Sequence, residues 1–156
     1  MAEPQAGATI EQLELADKRS ADLLRKSLGV AEIVHLWAIG LDDQLVALSQ
    51  EHAFIIKWGF AARAPLGGMV VSLKFVEIVS ADVYVRKTTA IFEIRAAGMP
   101  GAEAWPARFR RTRAEELPNV VTISPVQVRD FQRIATSIRE LVREASGPPV
   151  WIPPAR

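Results

Sequence analysis

The segment that follows Ser124 restricts the fold of this chain more than any other segment. Ser124 and Gln127 have the spacing of a helix capping box, and Pro125 fits the first helical position, where a backbone N–H is not needed. The helix predicted from this signal runs to about Ala145 and is ended by Gly147. Its apolar residues recur on one face, which must be covered by a sheet or by another helix. That face consists of Val128, Phe131, Ile134, Ala135, Ile138, Leu141 and Val142.

The middle of the chain has a different periodicity. Short apolar or alternating segments are separated by turn residues, a pattern typical of strands. Ala90–Ala96 alternates with a period of two, which indicates a half-buried strand. Because the strands follow one another through short links, they predict an antiparallel meander. The predicted strands are Glu32–Ile39, Gln44–Ser49, Ala53–Trp58, Met69–Phe75, Glu77–Val83, Ala90–Ala96 and Val120–Ile123.

The N-terminal region contributes a second predicted helix. Residues 1–8 are expected to be a frayed terminus, and Thr9 with Gln12 forms a capping box that begins a helix over about 10–28. Gly29 supplies the helix stop. The predicted fold class is therefore α+β, with a helix at each end of a meander of about seven strands.

Composition limits the class of protein. With 156 residues, 49% of them apolar, the chain fits one domain with a single core. The absence of cysteine excludes disulfides, thiolate metal sites and cysteine nucleophiles. No apolar run approaches the roughly 20 residues that cross a bilayer, and the N-terminus lacks the pattern of a secretory signal. We expect a cytoplasmic protein with no transmembrane segment.

The charge is unevenly distributed although the net charge is only +1. Residues 1–60 carry five Lys and Arg against nine Asp and Glu, whereas residues 61–156 carry fourteen against nine. The acidic first part and the basic second part can pair within one fold or between copies. A nucleic-acid-binding protein usually has a stronger overall excess of positive charge.

Three stretches and the closing helix carry a family likeness. They are Gly29–Val34 at the first strand, Leu45–Ile56 across a hairpin, Val71–Val83, and the helix that contains Phe131, Ile134 and Leu141. In this order they resemble the bacterial pleckstrin-homology-like (PH-like) domain family over about residues 29–145. The chain departs from the family pattern at the hairpin turn, which reads Ser49…His52 instead of Thr…Arg. Residues 98–119 look like an insertion before the last strand.

The resemblance implies a strongly bent antiparallel sheet, or partly open barrel, of about seven strands with one end plugged by the C-terminal helix. It implies a tail and helix at 1–28, the PH-like domain at 29–147 and a Pro-rich tail at 148–156. Relatives are generally non-enzymatic, and some assemble as rings. Phosphoinositide-binding members surround the first hairpin with Lys and Arg, whereas Gly40–Asp43 here carries two carboxylates. Since these would repel an anionic headgroup, we do not expect phosphoinositide binding.

Candidate catalytic and metal-binding residues are few. His35 is predicted to be a packed or edge histidine in a strand, and His52, beside Glu51, to be solvated or bonded within a turn. The sequence has no His-x-x-x-His pair, no Gly-x-Ser-x-Gly elbow and no phosphate-binding loop. We expect no enzyme, no metal site and no cofactor. The acidic residues that can converge in space, without any pattern that singles them out, are Asp42, Asp43, Glu77 and Asp82.

The densest run of positive charge lies beside an aromatic residue. Guanidinium groups interleaved with aromatic rings can bind a phosphate backbone or an acidic partner. In the alternative interpretation the run is a solvated loop or an edge strand, where arginine prevents unwanted pairing. The residues of this candidate basic patch are Trp105, Arg108, Arg110, Arg111 and Arg113.

The Pro-rich tail holds a second candidate binding element. Trp151 and Ile152 lie among prolines that include Pro149 and Pro153. A tryptophan in a stiff tail loses little entropy on docking and buries a large area, so it can anchor the chain to a partner. The alternative is that it packs against its own domain.

The expected function is that of a non-enzymatic binding or scaffold module. It would associate with itself, because a bent sheet leaves edges that a neighbour can pair with, or be an accessory subunit of a larger complex held through the tail. The alternative is a nucleic-acid-associated domain that uses Arg108–Arg113.

Overall fold

The computed structural model describes residues 5–59, 64–97, 117–147 and 153–155. These residues contain three α-helices and eight strands, with single 3₁₀ turns at Leu41–Asp43, Phe75–Glu77 and Pro125–Gln127. The helices are α1 (Ile10–Ala16), α2 (Lys18–Ser27) and α3 (Val128–Ala145). The strands are β1 (Ala6–Gly7), β2 (Val34–Ile39), β3 (Leu45–Ser49), β4 (His52–Gly59), β5 (Ala64–Lys74), β6 (Ile78–Val85), β7 (Ala90–Ala96) and β8 (Val120–Ile123).

All the strand pairs are antiparallel and form two sheets. The first has five strands in the order β1-β2-β3-β4-β5, and the second has three strands in the order β6-β7-β8. The chain passes from one sheet to the other through the turn at Phe75–Glu77. The predicted α+β class and antiparallel meander are confirmed. The strands are divided between two sheets that are not closed into a barrel, whereas the prediction was one bent sheet of about seven strands.

The main core lies between the two sheets and α3. Phe131 and Ile138 of the helix are fully buried, and the Phe131 ring lies 5.4 Å from that of Phe92 on β7. Burial of each such large apolar side chain contributes roughly 1.5–3 kcal/mol. The predicted apolar face of the C-terminal helix is therefore confirmed. Its four buried residues are Phe131, Ile134, Ala135 and Ile138, with Val128, Leu141 and Val142 partly buried beside them.

A second core covers the opposite face of the five-stranded sheet. Helices α1 and α2 place Leu13 and Leu24 on Trp37 and its apolar neighbours. The Trp37 indole is fully buried, and its Nε1 donates to Thr9 O at 2.8 Å. The five-stranded sheet is thus covered on both faces.

The structure corrects the prediction for the N-terminal region in two places. The helix predicted over 10–28 is two helices, because Asp17 leaves the helical conformation with φ −152° and its carboxylate caps α2 by accepting from Ser20 N at 3.1 Å. The terminus predicted to fray contains β1, which pairs Ala6 with Ala38 and Gly7 with Trp37.

The predicted capping boxes and the stop at Gly147 are confirmed, whereas the N-terminal helical region ends at Ser27 with Leu28 extended, and Gly29 lacks the positive φ of a helix stop. Both capping boxes form, at Thr9 with Gln12 and at Ser124 with Gln127. Gly147 follows α3 with φ +72°, a conformation that favours glycine. Among the described residues, no helix is both long and apolar enough to span a bilayer.

Candidate functional site

Three turns meet at one end of the five-stranded sheet, which we call the hairpin end: residues 28–33, 50–51 and 75–77. Gln50 joins the first two, since its Nε2 donates to Ala31 O and its Oε1 accepts from Ile33 N, both at 2.8 Å. Phe75 N donates to Glu51 O at 3.2 Å and joins the third. The hairpin end is therefore a connected unit built from segments distant in sequence.

Glu32 lies beneath these turns with 2% of its side chain exposed. Its Oε1 accepts from Ser49 Oγ at 2.8 Å and lies 2.7 Å from His52 Nδ1. Its Oε2 accepts from Gly29 N at 3.1 Å. Burial alone would raise the pKa of the Glu32 carboxyl, but these hydrogen bonds outweigh it and hold the pKa below its ordinary value of 4.5. Because the ionised carboxylate only accepts, the hydrogen between it and His52 is on Nδ1.

Ser49 and His52 form a turn rather than a nucleophile and its base. The Ser49 hydroxyl donates to Glu32 and accepts from the backbone N–H groups of His52 at 2.9 Å and Glu51 at 3.1 Å. Its hydrogen-bonding capacity is used in closing the β3–β4 hairpin. Within the turn His52 bonds only through its backbone, whereas its ring bonds Glu32 of a different turn, a residue that the sequence did not single out.

A cavity of about 300 Å³ opens beside this network. His52 and Lys74, which are paired across β4 and β5, contribute polar groups to it. Three exposed aliphatic residues lie on two of these turns: Val30 and Ile33 on 28–33, and Val76 on 75–77. The full lining is Gln50, Glu51, His52, Lys74, Phe75, Val76 and Ala145.

Strand β5 leads to this cavity along an edge of the five-stranded sheet. It has eleven residues and, within the described part of the chain, pairs only with β4. Between Gly67 and Lys74 it carries no charge, and Met69–Val71 are partly exposed. An uncharged edge strand of this length presents a row of backbone groups to which another strand can bond.

The edge strand β6 of the other sheet is partly covered. Arg139 of α3 donates to Ala81 O at 2.9 Å and to the Asp82 carboxylate at 3.2 Å. Ala81 is also part of the main core beneath α3. The helix therefore occupies the side of β6, whereas no comparable contact is made to the edge of β5 by the described residues.

A second polar region, the aspartate end, lies at residues 40–44. Asp42 and Asp43 both have left-handed backbone, with φ of 54° and 57°. Asp43 pairs with Arg19 at 3.2 Å, and both side chains are more than half exposed. These residues line an open cavity of about 400 Å³ with Asp17 and Gln127. Asp82 lies on β6 of the other sheet, where it pairs with Arg139 of α3. The four acidic residues that the sequence analysis considered together therefore do not form one site.

The structure places the remaining predicted residues as follows. His35 is exposed, not packed, on β2 at a shift in register between Val34 and Leu36, and β2 lies between β1 and β3 in the sheet. Pro153 is exposed. The basic patch, the rest of the tail anchor and most of the insertion predicted at 98–119 lie outside the described residues, so they stay predictions. These site residues are Trp105, Arg108, Arg110, Arg111, Arg113, Pro149, Trp151 and Ile152.

Comparison of the chain with protein-family models, with curated proteins and with solved structures finds no match. The resemblance to PH-like domains therefore stays an expectation from the sequence.

Proposed function

We propose that this chain is a non-enzymatic scaffold module that self-associates by pairing the β5 edge of one copy with that of a second copy. The observation that carries the proposal is the eleven-residue strand β5, which has β4 as its neighbour on one side and no described neighbour on the other. Backbone pairing at such an edge adds hydrogen bonds and continues the sheet across the interface.

The order of elements supports a PH-like architecture for the module. Strands β2–β5 form one antiparallel group, β6–β8 form the next, and α3 follows and packs into the core between them. This is the sequence of parts that the family resemblance implies. On this proposal β1, α1 and α2 are additions that cover the outer face of the first group.

A second copy of the chain suits this edge for reasons of symmetry and charge. Two identical antiparallel strands pair about a two-fold axis, which closes the assembly as a dimer. With the axis near Val70, the apolar centre of the strand faces itself, and the Lys74 side chains lie at opposite ends of the pairing. Like charges, which would oppose association, are therefore kept apart.

The test is the oligomeric state of the full chain and of an edge variant. Sedimentation or light scattering at micromolar concentration should show a dimer for the natural sequence. Ser72 is exposed on the edge strand, two residues from Val70. Ser72→Lys should therefore shift the protein to monomer, because it places charge in the pairing region. Gln132→Lys, an equal change on the exposed surface of α3, should leave the dimer intact.

Proline variants separate edge pairing from other modes of association. Consecutive N–H groups of an antiparallel strand point to opposite sides of the strand. One of the two variants Val71→Pro and Ser72→Pro therefore removes a backbone hydrogen bond to β4, and the other removes an N–H group only from the edge that would pair with the second copy. The variant that keeps the higher melting temperature should be the one that remains folded as a monomer. A monomeric natural protein, or a dimer that survives both the lysine and this proline change, overturns the proposal.

A further inference from the structure

We propose that the hairpin end binds a divalent transition-metal cation, Zn²⁺ or one of similar preference, through His52 Nδ1 and carboxylate oxygens of Glu32 and Glu51. One ligand atom from each of the three residues lies within 4.8 Å of the other two. One imidazole and two carboxylates are a donor set that such a cation accepts with a fourth position left for water.

The spacing of the Glu32 and His52 atoms needs only a small adjustment. Glu32 Oε1 and His52 Nδ1 are 2.7 Å apart in their hydrogen bond. Ligands about 2.0–2.2 Å from a tetrahedral Zn²⁺ are separated by about 3.3–3.6 Å, so the imidazole has to move outward by less than 1 Å. The cation then replaces the hydrogen on Nδ1, which moves to Nε2, and the neutral imidazole is the ligand.

The groups around Glu32 resemble the outer shell of a metal site. Gly29 N holds the Oε2 atom and Ser49 Oγ holds the Oε1 atom, so the carboxylate is oriented by two donors besides the imidazole. Both donors can keep their hydrogen bonds to the carboxylate when a metal ion replaces the hydrogen bond between Glu32 and His52. Hydrogen-bonded carboxylates of this kind are usual at metal sites, where they fix the direction of the ligand.

The cavity at the hairpin end gives the cation access and room for a fourth ligand. Both Glu51 and His52 line it. Glu51 is exposed on the turn, so its side chain can move to the cation. Lys74 lines the same cavity and opposes a cation there, but its side chain is exposed and can extend into solvent.

The test uses the full chain, freed of metal by a chelator, and titrated with ZnCl₂ or CoCl₂. Calorimetry should show one saturable site per chain, and Co²⁺ should give the visible absorption of a four- or five-coordinate site. The melting temperature should rise as metal is added, because the ligand binds the folded state. Absence of saturable binding in the natural protein overturns the proposal.

Two matched variants show whether the named residues are the ligands. The Glu51 side chain takes no part in the Glu32 network, so Glu51→Gln should keep the melting temperature of the metal-free protein and weaken Zn²⁺ binding about tenfold or more. Glu77→Gln removes an exposed carboxylate from the neighbouring turn and should leave the affinity unchanged. Equal affinity of Glu51→Gln and the natural protein, or equal loss in both variants, contradicts the assignment.

Discussion

The two ends of the five-stranded sheet use carboxylates in opposite ways. At the hairpin end, Glu32 is buried with three hydrogen bonds and holds two distant turns together. At the aspartate end, Asp43 is 68% exposed and meets Arg19, which is 53% exposed. Both contacts join an acid to a basic group about 3 Å away.

The difference shows that surroundings, rather than distance, decide what an ionic contact contributes. An exposed pair is screened by water and salt and stabilises a protein by about 1 kcal/mol or less. A buried carboxylate that loses its partners leaves groups without hydrogen bonds in a medium that cannot solvate them, which costs several times more. The hairpin end should therefore be the sensitive end.

The largest expected effect is the loss of the buried carboxylate. Glu32→Ala removes the acceptor for Ser49, His52 and Gly29, and should lower the free energy of unfolding by about 3 kcal/mol or more. Asp43→Ala is the matched change at the aspartate end and should cost about 1 kcal/mol or less. Urea unfolding of both variants measures the two values. Similar losses would show that the two ends do not differ as described.

The second effect is a dependence of stability on pH. Since the pKa of Glu32 is held below 4.5 in the folded state, its ionised form stabilises the protein at pH values above 4.5. This contribution is lost as the pH falls through the folded-state pKa. The difference in unfolding free energy between the natural protein and Glu32→Gln should therefore shrink as the pH falls below 4.5. If the difference in unfolding free energy grew on acidification, the folded-state pKa of Glu32 would be raised and not lowered.

The third effect concerns backbone strain, which is present at both ends of the sheet. Ala31 at the hairpin end has φ 63°, and Asp42 at the aspartate end has φ 54°. Alanine adopts this conformation less readily than aspartate does. Ala31→Gly should therefore raise the free energy of unfolding by about 0.5–1 kcal/mol, and Asp42→Gly by less. Thermal unfolding compares the two, and destabilisation by Ala31→Gly would contradict the conformation at that residue.

The smallest effect is the coupling between Arg19 and Asp43. A double-mutant cycle with Arg19→Gln and Asp43→Asn should give about 0.2–1 kcal/mol at low salt and less as salt is added. Arg19→Gln alone should cost more than Asp43→Asn, because the guanidinium also lies 4.4 Å from the centre of the Trp58 ring. A coupling as large as the loss in Glu32→Ala would remove the contrast between the ends.

The sequence by itself determined the features that depend on neighbouring residues. The capping boxes at Thr9 and Ser124 and the apolar face of α3 are local patterns, and the structure contains each of them. Ala90–Ala96 is a strand as predicted, but all its residues except Arg95 are buried, so the expectation of a half-buried strand is wrong. The misjudged helix over 10–28 has a local cause as well. Asp17 is a capping residue, but apolar residues continue on both sides of it and conceal the break.

Only the tertiary structure decided how the candidate site is assembled. Glu32 is separated by 17 residues from Ser49 and by 20 from His52. No spacing rule links a residue that precedes β2 to the turn that follows β3. The division of the strands between two sheets likewise decided that β6 lies against α3 while β5, among the described residues, is at an edge. Such contacts depend on the packing of the main core, which forms from residues far apart in the chain.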